Sequence, residues 1–286
     1  MTEQMSFRPP GVQGGFLIGD VFKRSFGVFG RNFPLLFSIT AIVTSPSLYF
    51  EAEVTAMTTP GNTTAPGGAF WLMVIGGGLA GMIVETLAQA LVFHAAFEDL
   101  HGRPVKLRDT LNGVAAWLAP IITLAIILGT LPLIMIAIGT AASVWVMATI
   151  ATMPDMADMP QLFSYVPGFA LVMLLLTLAE SVVWILSAVA LPACLIEGLD
   201  PIAAFRRSMA LTKGSRWRIL FALSIVDGVA WPLSGAVSAI VTLTIGAVAA
   251  SFLSFLLNAV FIAFNAVLTI VIYRDLRIAK ERIAAA

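Results

Sequence analysis

The chain holds one cysteine, two histidines and three tyrosines in 286 residues, and only 11% of its residues are charged. The lone Cys194 has no partner for an internal disulfide, so cysteine usage points to no redox compartment. Charge this sparse excludes a soluble globular domain, in which about a quarter of residues are charged. Catalytic signatures are missing too: there is no G-x-S-x-G elbow, no phosphate-cradling P-loop and no C-x-x-C pair. Nothing recommends a nucleophile, a nucleotide site or a cofactor, and the expectation is a protein that is not an enzyme. Segment 1–15 is polar and rich in Pro and Gly, lacks the apolar stretch of a cleavable signal, and is expected to be disordered.

Lysine and arginine are absent from most of the chain. All sixteen fall in four clusters, Arg8 to Arg31, Arg103 to Arg108, Arg206 to Arg218, and Arg274 to Arg282. Between clusters lie apolar stretches, and the polar breaks within them carry Glu51, Glu53, Asp155 and Asp158 but no base. Cytoplasmic loops keep Lys and Arg while translocated loops lose them, so the four clusters and both termini belong on the cytoplasmic side. An even number of crossings separates neighbouring clusters, and two per gap give six transmembrane helices. With 59% hydrophobic residues and a mean hydropathy of +0.96, the expected fold class is all-α: a polytopic membrane protein, one membrane domain over 1–286.

Periodicity and punctuation place the helices. Residues 16–32 read as an amphipathic helix on the membrane surface, with Phe22, Phe26, Phe29 and Phe33 in one stripe and Lys23, Arg24 and Arg31 on other faces. Span one is expected over about 33–50. Span two covers about 69–97, where Gly77 and Gly81 form a small-xxx-small pair for close helix packing. The apolar run 113–153 is roughly twice as long as the hydrocarbon core requires. A single span to about Ile138 is expected there, bent at Gly129 and Pro132, with 139–153 at the outer interface around Trp145. Span four covers about 165–196. A surface helix follows, capped by Asp200, started by Pro201, striped by Ile202, Phe205 and Met209, and ended by a left-handed Gly214. Span five runs from Trp217 to about Ile245 and span six ends at Tyr273, with a turn within 246–251.

An internal repeat links these pieces. Phe22-Lys23-Arg24-Ser25 before Phe33 parallels Phe205-Arg206-Arg207-Ser208 before Trp217, and Leu107-Arg108-Asp109-Thr110 before Trp117 is a fainter copy. Phe97-Glu98-Asp99-Leu100 likewise parallels Tyr273-Arg274-Asp275-Leu276. Three units are expected, 16–100, 101–200 and 201–286, each a cytoplasmic interfacial helix followed by a transmembrane hairpin.

Arg31-Asn32-Phe33, Arg207-Ser208 with Leu211-Thr212-Lys213-Gly214, and Tyr273-Arg274-Asp275-Leu276-Arg277 together resemble the YciC-like family. Its members are described as the membrane domain of glycerophosphoryl diester phosphodiesterases. The resemblance covers nearly the whole chain on short motifs, and it implies a six-helix protein of the bacterial inner (cytoplasmic) membrane. Some members carry a fused catalytic barrel. This chain runs to Ala286 with no room for one, so the resemblance does not bring the hydrolase activity with it.

Glu85, Glu180 and Asp227 lie inside apolar runs, and no span offers them a basic partner. A charged carboxylate at the bilayer centre costs at least about 2.5 kcal/mol, so such groups face the bundle interior and pair, protonate or line water. Glu85, Glu180 and Asn258 lie at similar depths on the even-numbered spans, Gln89 continues the face of Glu85, and Ser254, Asn258, Phe261 and Asn265 share one face of span six. Three units packed around an axis would gather Glu85, Gln89, Glu180, Asp227, Asn258 and Asn265 into one intramembrane polar cluster. Such a cluster relays protons or cations, or it is a set of neutral acids hydrogen-bonded between helices.

Lys23, Arg24, Arg31, Arg206, Arg207, Lys213, Arg216 and Arg218 are candidates for contact with anionic phospholipids, each base near such a surface contributing about 1 kcal/mol. They serve equally as topology determinants, and they need no nucleic-acid partner. His94, Glu98 and His101 recur at i, i+4 and i+7, a spacing that offers three metal ligands without an apparent fourth. An ordinary helix end entering water accounts for the same residues, and no metal is expected. The favoured reading is a lipid-contacting organiser or support of a membrane complex, with a membrane-protein partner or homo-oligomer left open. The alternative is a small transporter or channel coupled to protons or cations through the intramembrane acids. A water-accessible cavity reaching those acids separates the two.

Overall fold

A computed structural model describes residues 17–58, 68–152 and 159–285. The expectations for segment 1–15 and for Asp155 and Asp158 lie outside these residues. The described chain is a succession of helices: α1 Ile18–Arg31, α2 Phe33–Thr58, α3 Gly68–Leu100, α4 Leu107–Ala115, α5 Leu118–Thr152, α6 Met159–Ser187, α7 Ala190–Glu197, α8 Pro201–Thr212, α9 Arg216–Thr244 and α10 Ala247–Ala285. Six stretches are long and apolar enough to cross a bilayer: Phe33–Phe50, Phe70–Leu100, Leu118–Gly139, Pro167–Glu197, Arg216–Thr244 and Val248–Glu281. The protein is an all-α polytopic membrane protein.

Local chemistry sets several boundaries. Asp200 accepts the N–H groups of Ile202 and Ala203 at 3.0 Å each, so α8 begins on a capped turn with Pro201 in its first position. It ends before Gly214, whose φ of 91° is a left-handed conformation that costs glycine little. Gly246, with φ of 122°, makes the tight turn from α9 into α10.

The four basic clusters gather at one end of the bundle. Arg31 of α1 pairs with Asp99 at the end of α3 at 2.6 Å, and Arg24 pairs with Asp275 of α10 at 2.7 Å. Glu197, at the end of α7, accepts Arg207 of α8 at 2.9 Å and the Tyr273 hydroxyl of α10 at 2.7 Å. Lys280 donates to the Lys213 carbonyl at 3.2 Å, and Arg103 pairs with Glu98. The core lies just inside this basic end. It comprises Leu36 and Ile39 of α2, Ala88 to Ala96 of α3 except His94 and Gln89, Ile121 and Leu124 of α5, Ala190 to Leu195 of α7, Ile219 to Val226 on one face of α9, and Ala263 to Tyr273 all round α10 except Asn265 and Thr269. α10 is the hub, packing against α1, α2, α3, α7, α8 and α9.

The first apolar span, Phe33–Phe50, is the one expected, and its helix continues beyond it to Thr58. Other expectations need correction. The apolar span Leu118–Gly139 ends close to the expected Ile138, but α5 is one unbroken helix to Thr152, so 139–152 continues the helix instead of turning onto the interface. No further proline lies between Pro132 and Thr152, and the isolated Gly139 does not stop a helix with intact backbone hydrogen bonds. Span four, by contrast, breaks at Ala188 and Val189. Pro192 has no N–H for the carbonyl four residues back, and its ring crowds that carbonyl, which belongs to Ala188. The fully buried Ser208 of α8 bridges the break: its Oγ accepts the Val189 N–H at 3.3 Å and donates to the Leu186 carbonyl at 2.7 Å. Beyond the break α7 enters the core, while α6 lies at the rim of the bundle, packed on α5, α8 and α9.

The surface helices also sit differently from their apolar stripes. α1 buries Val21, Ser25 and Val28, whereas Phe22, Phe26 and Phe29 collect around Phe264 of α10 at centroid distances of 6.4, 4.6 and 5.4 Å. α8 buries Ala204, Ser208 and Leu211 and leaves Ile202 exposed. Small side chains let these helices pack closely on the spans, while Phe26 and Ile202 stay exposed on their outer faces.

Candidate functional site

Beyond the core, away from the basic end, the helices separate around a cavity of about 440 Å³. Its floor is α10, which contributes Ser254, Phe255, Asn258, Phe261, Ile262 and Asn265. One wall is α3, with Glu85 and Gln89, and the other is α9, with Asp227, Ala230, Trp231 and Ser234. The helical period explains the assembly: Ser254, Asn258, Phe261 and Asn265 recur at intervals of four, three and four residues, and so line a single face. α3 and α9 each pack on α10 but little on each other, which leaves the space between them open.

Each carboxylate in the cavity has an amide partner. Gln89 donates to Glu85 Oε1 at 3.1 Å across one turn of α3. Asn265 of α10 donates to Asp227 Oδ1 of α9 at 3.3 Å, which ties those helices together beside the site. Glu85 and Asp227 face the same cavity from α3 and α9. Ser254 Oγ is buried in the cavity wall with no hydrogen-bond partner among the described residues. At 1.5 Å per residue, Glu85 sits about 20 Å from the Glu98 end of its helix, well inside the hydrocarbon depth.

Five of the six residues expected in a polar cluster therefore meet here. Glu180 does not. It lies on α6 at the rim, outside the cavity. The expected arrangement of three hairpins around one axis fails at span four, because the break at Val189 sends α7 to the centre and α6 to the edge. Asp227, from an odd-numbered span, occupies the wall instead. Trp231 and Ser234 are additional lining residues. Their signal is present in the chain, since they follow Asp227 by four and seven residues and share its helical face.

The other candidates resolve into separate roles. Among the described residues no group of three or more His, Cys, Asp or Glu side chains converges to hold a metal ion. His101 turns its Nδ1 to the Phe97 carbonyl at 2.8 Å, Glu98 is engaged by Arg103, and His94 packs over Gly113. Of the eight bases assigned to lipid contact, Arg24, Arg31 and Arg207 form the ion pairs that fasten α1 and α8 to the span ends. Lys23, Arg206, Lys213 and Arg216 are exposed and join no ion pair among the described residues, and Arg218 is also exposed. The glycine pair divides as well. A Cβ on Gly77 would meet the Phe50 ring at 2.8 Å, while Gly81 faces open space. Close approach is instead shared by Gly77 against α2 and by Gly78, whose Cβ would lie 3.0 Å from Leu133 of α5.

No protein-family model, no curated protein and no solved structure matches the chain.

Proposed function

We propose that this protein is a small transporter or channel of the bacterial inner membrane, which binds a proton or a cationic solute at Glu85 and Asp227 and passes it across the bilayer. The carrying observation is the cavity. A scaffold gains nothing from leaving 440 Å³ of partly polar space in the hydrocarbon with two carboxylates on opposite walls and no base to match them. Intramembrane acids of this kind mark ion and proton pathways by default. Among the described residues no Lys or Arg lines the cavity, and the bases within the spans, Arg216, Arg218, Arg274, Arg277 and Lys280, lie at their basic-cluster ends, which leaves a cation as the natural counter-charge.

The gathering of the four basic clusters at one end supports an orientation with that end and both termini in the cytoplasm. The resemblance to the YciC-like family implies the same membrane. A second reading, contact with anionic lipid, is supported by Lys23, Arg206, Lys213 and Arg216, which are exposed and join no ion pair among the described residues, and it concerns how the protein sits in the membrane.

The test is flux in proteoliposomes bearing a pH or cation gradient. Glu85→Gln with Asp227→Asn is expected to bring flux to the level of protein-free vesicles, while Glu180→Gln is expected to match the parent. Equal flux from the double variant and the parent would overturn the proposal.

A further inference from the structure

The site also carries information about its cargo. Resting on the transport reading above, we infer that the cavity takes a lipophilic organic cation, which enters sideways from the bilayer between α3 and α9.

Size is the first argument. Small-molecule sites occupy about 300 to 1,000 Å³, and the 440 Å³ here falls in that range, whereas one water takes about 30 Å³. A bare ion would leave most of the space unfilled. Ligand geometry is the second. Inorganic cations demand several oxygens converging at about 2.0 to 2.6 Å. Here the carboxylates stand on different helices, each held by an amide, and no cluster among the described residues suits a metal ion. Two carboxyl groups beside Trp231, Phe255 and Phe261 instead match a cation whose charge is spread over apolar groups, because aromatic faces attract such cations, which shed little water on entering.

Access is the third. Trp231 lies midway along Arg216–Thr244 and is 81% exposed, and exposure at that depth is exposure to acyl chains. Toward the basic end the route is closed by packed side chains, among them Phe93, Val226 and Val267. A hydrated ion cannot cross the lipid to such a mouth, whereas a lipophilic cation partitions into the bilayer and arrives there directly.

The probe is tetraphenylphosphonium, measured by equilibrium binding to the full chain in lipid nanodiscs, with tetraphenylborate as a twin of the same shape and opposite charge. Saturable binding of the cation alone is expected. It should weaken at least tenfold in Glu85→Gln with Asp227→Asn and several-fold in Trp231→Ala, and stay unchanged in Glu180→Gln. Trp231 is exposed, so its replacement leaves folding intact, and together with the anion twin it decides the matter even where the double variant fails to fold. Absence of saturable binding, equal binding of the borate, or indifference to Trp231→Ala would overturn the inference. The two readings part cleanly: proton or sodium flux without phosphonium binding keeps the transport reading and removes the organic cargo. Binding without any flux keeps the site and removes transport.

Discussion

Ser208 hydrogen-bonds across nineteen residues to the backbone of Val189, at 3.3 Å, and through the same oxygen it reaches the Leu186 carbonyl at 2.7 Å. One hydroxyl thus serves both faces of a helix break that Pro192 imposes. Replacing it with Ala strands two buried backbone groups, each worth about 1 to 3 kcal/mol when unsatisfied. Ser208→Ala is expected to lower the thermal midpoint in detergent by several degrees. An unchanged midpoint would mean that the break is held by packing alone.

Glycine substitutions should move stability in opposite directions according to what surrounds them. Gly81 is helical and faces open space, so Gly81→Ala is expected to stabilise by up to about 1 kcal/mol through helix propensity. A Cβ on Gly113 would come within 2.3 Å of His94 Nε2, forcing the ring out of its place against α4, and Gly113→Ala is expected to cost about 1 to 3 kcal/mol. Thermal unfolding of the two variants side by side reads the difference. A destabilised Gly81→Ala would reveal a helix or partner that covers that face.

Orientation is open to direct chemical reading. The single native thiol, Cys194, is buried, so a Cys194→Ala background carrying Lys23→Cys or Lys213→Cys reports one side at a time. Both positions are expected to react with a membrane-impermeant maleimide only in inside-out vesicles, and Met156→Cys only in right-side-out ones. Labelling of Lys23→Cys and Lys213→Cys from opposite faces would break the single-sided arrangement of the basic clusters.

How far the chain discloses this fold depends on how local each signal is. Asp200, Pro201 and Gly214 bound α8 as their side chains predict, because a cap acts within one turn of its own residue. The turn at Gly246 falls inside the expected 246–251 window although nothing polar marks it, since the spacing of charges already requires a reversal there. Ser254, Asn258, Phe261 and Asn265 are readable as a cavity face from their period alone. Glu180 is misplaced for a different reason. Counting its depth from Glu197 treats span four as straight, and the deviation at Val189 depends on a hydroxyl contributed by α8. Asp227, expected in the cluster although it lies on an odd-numbered span, reaches the cavity opposite Glu85 because α3 and α9 both pack on α10.

α10 packs against six other helices, and from Ala263 to Tyr273 it is buried nearly all round. In synthesis it emerges after the other nine described helices. The earlier hairpins therefore enter the bilayer without their common keystone, and Arg24 and Glu197 wait for Asp275 and Tyr273 until α10 follows. Maturation of this protein is thus a late event, in which spans already inserted are drawn together by a helix that arrives after them.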